Sequence, residues 1–224
     1  MSGQIHENLV HISSRIAEAA TRSGRDASEI KLVAVSKTHP PGKLREAINA
    51  GIRIFGENKV QEAEWKIEEI GRDAAEWHLI GHLQSNKARK AVRLFDVVHS
   101  VDSVDLAKRL ERLCGEEGRD RLSVLIQVDL AGEETKSGIT ETNLQELVEF
   151  LASCRRLRFE GMMALPPFSD DPEAARPYFR RLRELRDRII PGGQLSMGMS
   201  HDFEAAIAEG ATHVRVGTAL FGER

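Results

Sequence analysis

Eight short apolar runs rich in β-branched residues recur along this chain, and that repetition limits what it can fold into. They are Lys31–Lys37 (KLVAVSK), Ile52–Asn58 (IRIFGEN), Trp77–His82 (WHLIGH), Val97–Val101 (VVHSV), Ser123–Asp129 (SVLIQVD), Phe159–Leu165 (FEGMMAL), Gln194–Met199 (QLSMGM) and His213–Thr218 (HVRVGT). Largely apolar runs suit parallel strands that are buried on both faces. Charged amphipathic segments fill most of the gaps, among them Lys43–Ala50, Lys59–Ile70, Asn86–Phe95, Val104–Gly115 and Pro172–Ile189. Strands alternating with helices imply right-handed βαβ units and a parallel sheet. Eight units within 224 residues match an α/β fold of the (β/α)8 TIM-barrel type better than an open doubly wound sheet. Periodicity cannot decide closure, so the open sheet stays as the alternative. Strand seven is the least strand-like of the set, because its glycines and methionines would also suit a loop.

Ahead of the first strand, Gln4–Gly24 places Ile5, Leu9, Ile12, Ile16 and Ala19–Ala20 at helical spacing and stops at a glycine, which predicts an extra N-terminal helix. No Pro/Ser-rich linker or low-complexity tract interrupts the chain, so residues 1–224 read as one domain.

Composition narrows the function classes. The 32 Lys+Arg against 35 Asp+Glu leave a net charge of −3, so no basic field recommends nucleic acid or a membrane surface as partner. The first residues are neither basic nor apolar as a signal peptide requires, and the longest uncharged stretch, Ile189–His201, is too short to span a bilayer. Two cysteines, Cys114 and Cys154, make no disulfide framework or metal-ligand pattern, and a reducing cytoplasm is the expected location.

In a barrel of this kind the chemistry gathers at the C-terminal ends of the strands. Those ends carry Ser36-Lys37-Thr38, Glu57-Asn58, His82 with Gln84-Ser85-Asn86, Met199-Ser200, and Arg215 with Gly217-Thr218. Lys37 leaves a buried strand, where desolvation favours the neutral amine that can attack a carbonyl. It could equally snorkel to water or pair with a carboxylate. Ser200 is expected to open a helix over His201–Glu209 and Gly217-Thr218 to open the last helix, so both loops could present free N–H groups and a helix dipole to a phosphate. Both could also be plain helix caps.

Other motifs fail. Gly217–Gly222 has Walker-like spacing but is followed by Glu223 rather than lysine. His78 and His82 are ~13 Å apart along a strand and cannot share a metal. The basic runs Arg155–Arg158 and Arg176–Arg188 read as solvated helix faces.

Six stretches, in order, carry a resemblance: LVAVSKTHP (Leu32–Pro40), FGENKVQEA (Phe55–Ala63), WHLIGHLQSNKAR (Trp77–Arg89), ETKSGI (Glu134–Ile139), LSMGMSHDFEAAI (Leu195–Ile207) and VRVGTALFG (Val214–Gly222). Over essentially its whole length the chain resembles the pyridoxal phosphate homeostasis protein family, a relative of the alanine racemase N-terminal domain. It departs from the family's usual pattern at Lys59 and His201. The resemblance implies pyridoxal 5′-phosphate as cofactor and no metal. It assigns Lys37 to the internal aldimine, and Ser200, Gly217, Thr218 and the Met199 backbone to the phosphate. Asn58 is assigned to the side of the ring's 3-hydroxyl and Arg215 to the pyridine nitrogen, with Ser85 near the same mouth. A guanidinium can only donate, so Arg215 would keep that nitrogen unprotonated and the ring a poorer electron sink.

The role so implied is intracellular buffering of the cofactor and its delivery to apo-enzymes by transient contact, by a monomer without robust catalysis. Racemases supply a catalytic tyrosine from a second domain, whereas the one tyrosine here, Tyr178, falls in the arginine-rich helix before strand seven. The alternatives are a racemase-like amino-acid enzyme, or an aldolase-type barrel in which Lys37 attacks a sugar phosphate.

Overall fold

A computed structural model describes residues 3–132 and 137–222. Its eight parallel strands close into a barrel in sequence order. They are β1 (Lys31–Val35), β2 (Ile54–Glu57), β3 (Glu76–Leu79), β4 (Val97–Val101), β5 (Leu122–Gln127), β6 (Leu157–Met163), β7 (Gln194–Met199) and β8 (His213–Val216). Closure rests on β1, which pairs with β2 through Ala34↔Phe55 and with β8 from Lys31↔His213 to Ala34↔Val216. The open sheet is thereby excluded. β7 is a full strand with Leu195–Gly198 buried, because pairing on both sides overrides its modest propensity.

Helices α1 (Gly3–Arg22), α2 (Pro41–Asn49), α3 (Val60–Ile70), α4 (Ala88–Leu94), α5 (Val104–Glu116), α6 (Leu144–Ser153), α7 (Arg176–Ile189), α8 (Phe203–Ala208) and α9 (Thr218–Phe221) surround the barrel. With four residues, α9 is too short to cover its strand. The N-terminal helix α1 packs on α8, α9 and α2 and completes the ring, burying Ile5, Ile12, Ile16, Ala19 and Ala20. Asn8 Nδ2 donates to the Leu220 carbonyl at 2.9 Å, and Arg15 pairs with Glu204 at 2.8 Å.

Alternate strand residues go to two places. Ala34, Phe55, Trp77, Leu79, Val214 and Val216 join the helices in one continuous core, with Phe55 and Trp77 stacked at 5.4 Å. Val33, Val35 and Ile80, of the opposite parity, form a separate small cluster inside the barrel.

Two boundaries differ from expectation. The first strand stops at Val35, and Lys37 lies in the turn that follows, where Thr38 takes φ +68°. The helix expected from His201, with Ser200 opening it, instead starts at Phe203. The Asp202 carboxylate accepts the Met199 N–H at 2.6 Å, so residues 199–202 close a turn before the helix begins. Gly198, at φ +89°, allows that close packing: a Cβ there would lie 2.6 Å from Ala206 Cβ.

Candidate functional site

The backbone around Lys37 is pinned from the helix side of the barrel. Lys66, on α3, is fully buried, and its Nζ has three hydrogens and three oxygen partners. It donates to the Ser36 carbonyl at 2.6 Å, to Glu57 Oε1 at 2.6 Å and to Glu62 Oε1 at 2.7 Å. Ser36 Oγ donates to the same Glu57 oxygen at 2.6 Å, and the Thr38 N–H donates to Glu62. Both neighbours of Lys37 are therefore held by one buried cluster, while Lys37 itself is half-buried. Burial pushes the Glu57 carboxyl up despite Lys66, and its Oε2 has no partner. Burial acts the same way on Glu62, but the Lys66 and Thr38 hydrogen bonds outweigh it and hold that carboxyl down.

The ends of β7 and β8 adjoin β1. Gly217 lies against β1, where a Cβ would come 3.3 Å from the Val35 carbonyl. Ser200 Oγ accepts the Gly217 N–H at 3.3 Å, with the Ala219 N–H at 3.5 Å, so its hydroxyl ties the two loops together instead of capping α8. Thr218 opens α9 and is exposed. Met199, one-third exposed, has already given its N–H to Asp202. On the other flank of Lys37, half-buried Asn58 follows β2 and presses on Gly81, where a Cβ would meet the Asn58 carbonyl at 2.3 Å. Ser85 stands apart, exposed on a single turn after β3, two strands away from β1. Thus Lys37, Asn58, Ser200, Gly217 and Thr218 share one sector of the mouth.

Beneath that sector lies Arg215, 3% exposed. It donates through Nη1 to Ser196 Oγ at 2.6 Å and through Nη2 to the Ala164 carbonyl at 2.9 Å. Among the described residues no carboxylate sits at ion-pair distance, so Arg215 is not one half of a structural salt bridge. Burial lowers its pKa to about 10, with the charge of Asp202 acting the other way.

Sequence reasoning missed Lys66, and it missed the barrel-interior groups His78, His99, His213 and Ser196, all fully or nearly buried. The available signal was polar residues on the inward parity of apolar strands, as in VVHSV and HVRV. Residues 133–136, among them Lys136 and the other residues that open the ETKSGI stretch at Glu134, lie outside the described residues.

Comparison with known proteins adds three findings. Residues 8–224 match the family described as alanine racemase, N-terminal domain. The pyridoxal phosphate homeostasis protein of Aquifex aeolicus is 44% identical over 223 residues, covering 97% of each chain. The structure of PipY from Synechococcus elongatus with PLP bound superposes with a TM-score of 0.84 at 41% identity, over 98% of this chain and all of that one. An alanine racemase from Corynebacterium glutamicum, at 21% identity and a TM-score of 0.69 over 60% of its length, shares the fold.

Proposed function

Since the chain belongs to the alanine racemase N-terminal domain family, and within it to the pyridoxal phosphate homeostasis proteins, we propose that it binds pyridoxal 5′-phosphate at the β7–β8–β1 sector and serves to hold and hand on that cofactor. The observation that carries this reading is one lysine, Lys37, in the turn that follows β1, whose end lies against Gly217 at the end of β8, with the donor-only guanidinium of Arg215 buried on that neighbouring strand. The donor set suits the group: an amine for an aldehyde, N–H and hydroxyl donors for a phosphate, and Arg215 for an unprotonated pyridine nitrogen. When bound, the cofactor supplies an aldehyde that an amine can hold covalently and a ring that withdraws electrons from an attached amino acid.

In this reading Lys37 Nζ is the covalent anchor, presented by the pinned turn of residues 36–38. Ser200, Gly217 and Thr218 grip the phosphate, with the Met199 backbone beside them; Asn58 orients the face bearing the 3-hydroxyl, and Ser85 lines the outer mouth. Arg215 holds the ring nitrogen as an acceptor, which weakens the electron sink that racemases and decarboxylases need. Tyr178 is half-buried on α7 in the outer ring of helices. These features favour a monomeric cytoplasmic carrier that passes its cofactor to apo-enzymes through brief contacts.

Visible absorption with borohydride trapping and peptide mapping tests the site. Protein loaded with the cofactor is expected to be yellow, to bleach with borohydride, and to carry the reduced label on Lys37. Lys37→Ala is expected to lose colour and label while unfolding as the parent does. A colourless parent, or a label on Lys136, would refute the assignment.

A further inference from the structure

The barrel interior holds an unbroken hydrogen-bonded row that the proposed function leaves unexplained. Glu76 Oε1 lies 2.8 Å from His78 Nε2, and His78 Nδ1 lies 2.9 Å from His99 Nε2. His99 Nδ1 is 2.9 Å from Ser196 Oγ, which takes the Arg215 Nη1 hydrogen bond at 2.6 Å. The row runs from the start of β3 across β4 and β7 to β8. His78, His99, Ser196 and Arg215 are all buried, whereas the Glu76 side chain is 40% exposed.

The two ends dictate every hydrogen in between. Arg215 has only donors and an ionised carboxylate only acceptors. Ser196 Oγ therefore accepts from Arg215 and gives its single hydrogen to His99 Nδ1. His99 must then be the Nε2–H tautomer and donate to His78 Nδ1, and His78 must be the Nε2–H tautomer and donate to Glu76. The hydrogen bond from His78 holds the Glu76 carboxyl low, as an ionised terminus requires. Burial drives His99 well down, and the nearby positive charges of Arg215 and Lys31 act in the same direction, which suits a neutral ring. His213 packs edge-on against His99 at 5.7 Å, but its Nδ1 is taken by Thr212 Oγ1 at 3.0 Å, so it walls the row without joining it.

We propose that Glu76, His78, His99 and Ser196 are positioning residues for Arg215, forming one directional hydrogen-bond chain that fixes its guanidinium beneath the mouth and keeps it a donor there. The purpose of a fixed donor rests on the cofactor reading above; the chain itself is made by the protein's own residues.

Its test therefore uses the protein without cofactor. Long-range ¹H–¹⁵N correlation spectra at pH 7 are expected to show His78 and His99 each as a single Nε2–H tautomer. Glu76→Leu removes the terminal acceptor at the half-exposed end, where folding is least at risk. It is expected to release the tautomer of His78 and also that of His99, and to shift the Arg215 Nη resonance on the far side of the barrel. An Nδ1–H tautomer or an imidazolium at either ring in the parent would overturn the proposal, and so would a response confined to His78 or an unmoved Arg215. Should the variant not fold, the parent's tautomers alone decide. A parent that shows both tautomers but takes up no pyridoxal phosphate would retire the cofactor reading and leave the chain intact.

Discussion

Replacing Lys66 by methionine tests whether the buried cluster behind Lys37 works as described. Lys66→Met keeps much of the stem's volume but strands Glu57, whose Oε1 then has only Ser36 Oγ and whose Oε2 has nothing. The carboxyl escapes by taking up a proton, and at pH 7 protonating a group of ordinary pKa near 4.5 costs about 3 kcal/mol. The Ser36 carbonyl also loses its donor, which adds about 1 kcal/mol or more. The total, about 3–5 kcal/mol, is the usual range for breaking a buried pair. With a urea m-value of roughly 2–3 kcal/mol/M, the midpoint should fall by about 1–2 M, read from the fluorescence of buried Trp77. The deficit must also depend on pH. A carboxyl whose folded pKa is raised above its unfolded value favours the fold below the unfolded pKa and loses that advantage as pH rises through the folded one. The gap between variant and parent should thus shrink by roughly 2–3 kcal/mol between pH 7 and pH 5. Adding Glu57→Leu should restore most of the stability, since an apolar pair of similar volume removes the stranded charge. A deficit that ignores pH, or single-variant costs that simply add, would refute this account.

Ser200→Ala should weaken cofactor binding by about 1–2 kcal/mol, roughly 5–30-fold in Kd by fluorescence titration, and an unchanged Kd would remove Ser200 from the phosphate site. Burial lowers the pKa of His213 from 6.5 to about 3, so the unfolded chain takes up its proton first as the pH falls below 6.5. That single group should remove about 2 kcal/mol of stability by pH 5, a loss that His213→Asn should abolish in denaturation curves at pH 7 and 5. Incubating the loaded protein with alanine in deuterated water should give α-proton exchange no faster than free cofactor does, if Arg215 keeps the ring a poor electron sink as proposed; exchange at catalytic rates would favour the racemase-like reading.

The barrel was legible because each strand is a short apolar run and each crossover helix carries an amphipathic pattern that a single window can capture. Strand closure, by contrast, depends on β1 meeting β8 across almost the whole chain, a pairing that no local pattern reports. The helix start near Ser200 was misplaced because serine and aspartate are equally good caps, and only the Asp202–Met199 contact decides between them. Lys37, Asn58, Ser200, Gly217 and Thr218 stood out as polar residues closing apolar strands. Lys66 did not, since LysX3 spacing on a charged helix looks like solvent-facing surface until Glu57 and the Ser36 carbonyl are folded over it.

Two buried polar systems converge on the same sector from opposite sides of the sheet. Outside, between strands and helices, Lys66 with Glu57 and Glu62 holds the backbone on either side of Lys37. Inside, the row from Glu76 to Ser196 ends on Arg215. Barrel interiors are ordinarily filled by branched apolar side chains, and here Val33, Val35 and Ile80 supply such filling near β1–β3 while His78, His99, Ser196, His213 and Arg215 are buried as well. Burying charged and polar groups costs stability even when they are fully paired. What such groups provide is geometry: side chains whose own hydrogen bonds are committed hold their neighbours to a fraction of an ångström, as the proposed site would require in order to present an amine and a guanidinium to one small ring. The same reasoning explains why α1 matters to a site it does not touch. It braces α8 and α9, and through them the Ser200–Gly217 tie, so the N-terminal helix stabilises the loops that would meet the phosphate.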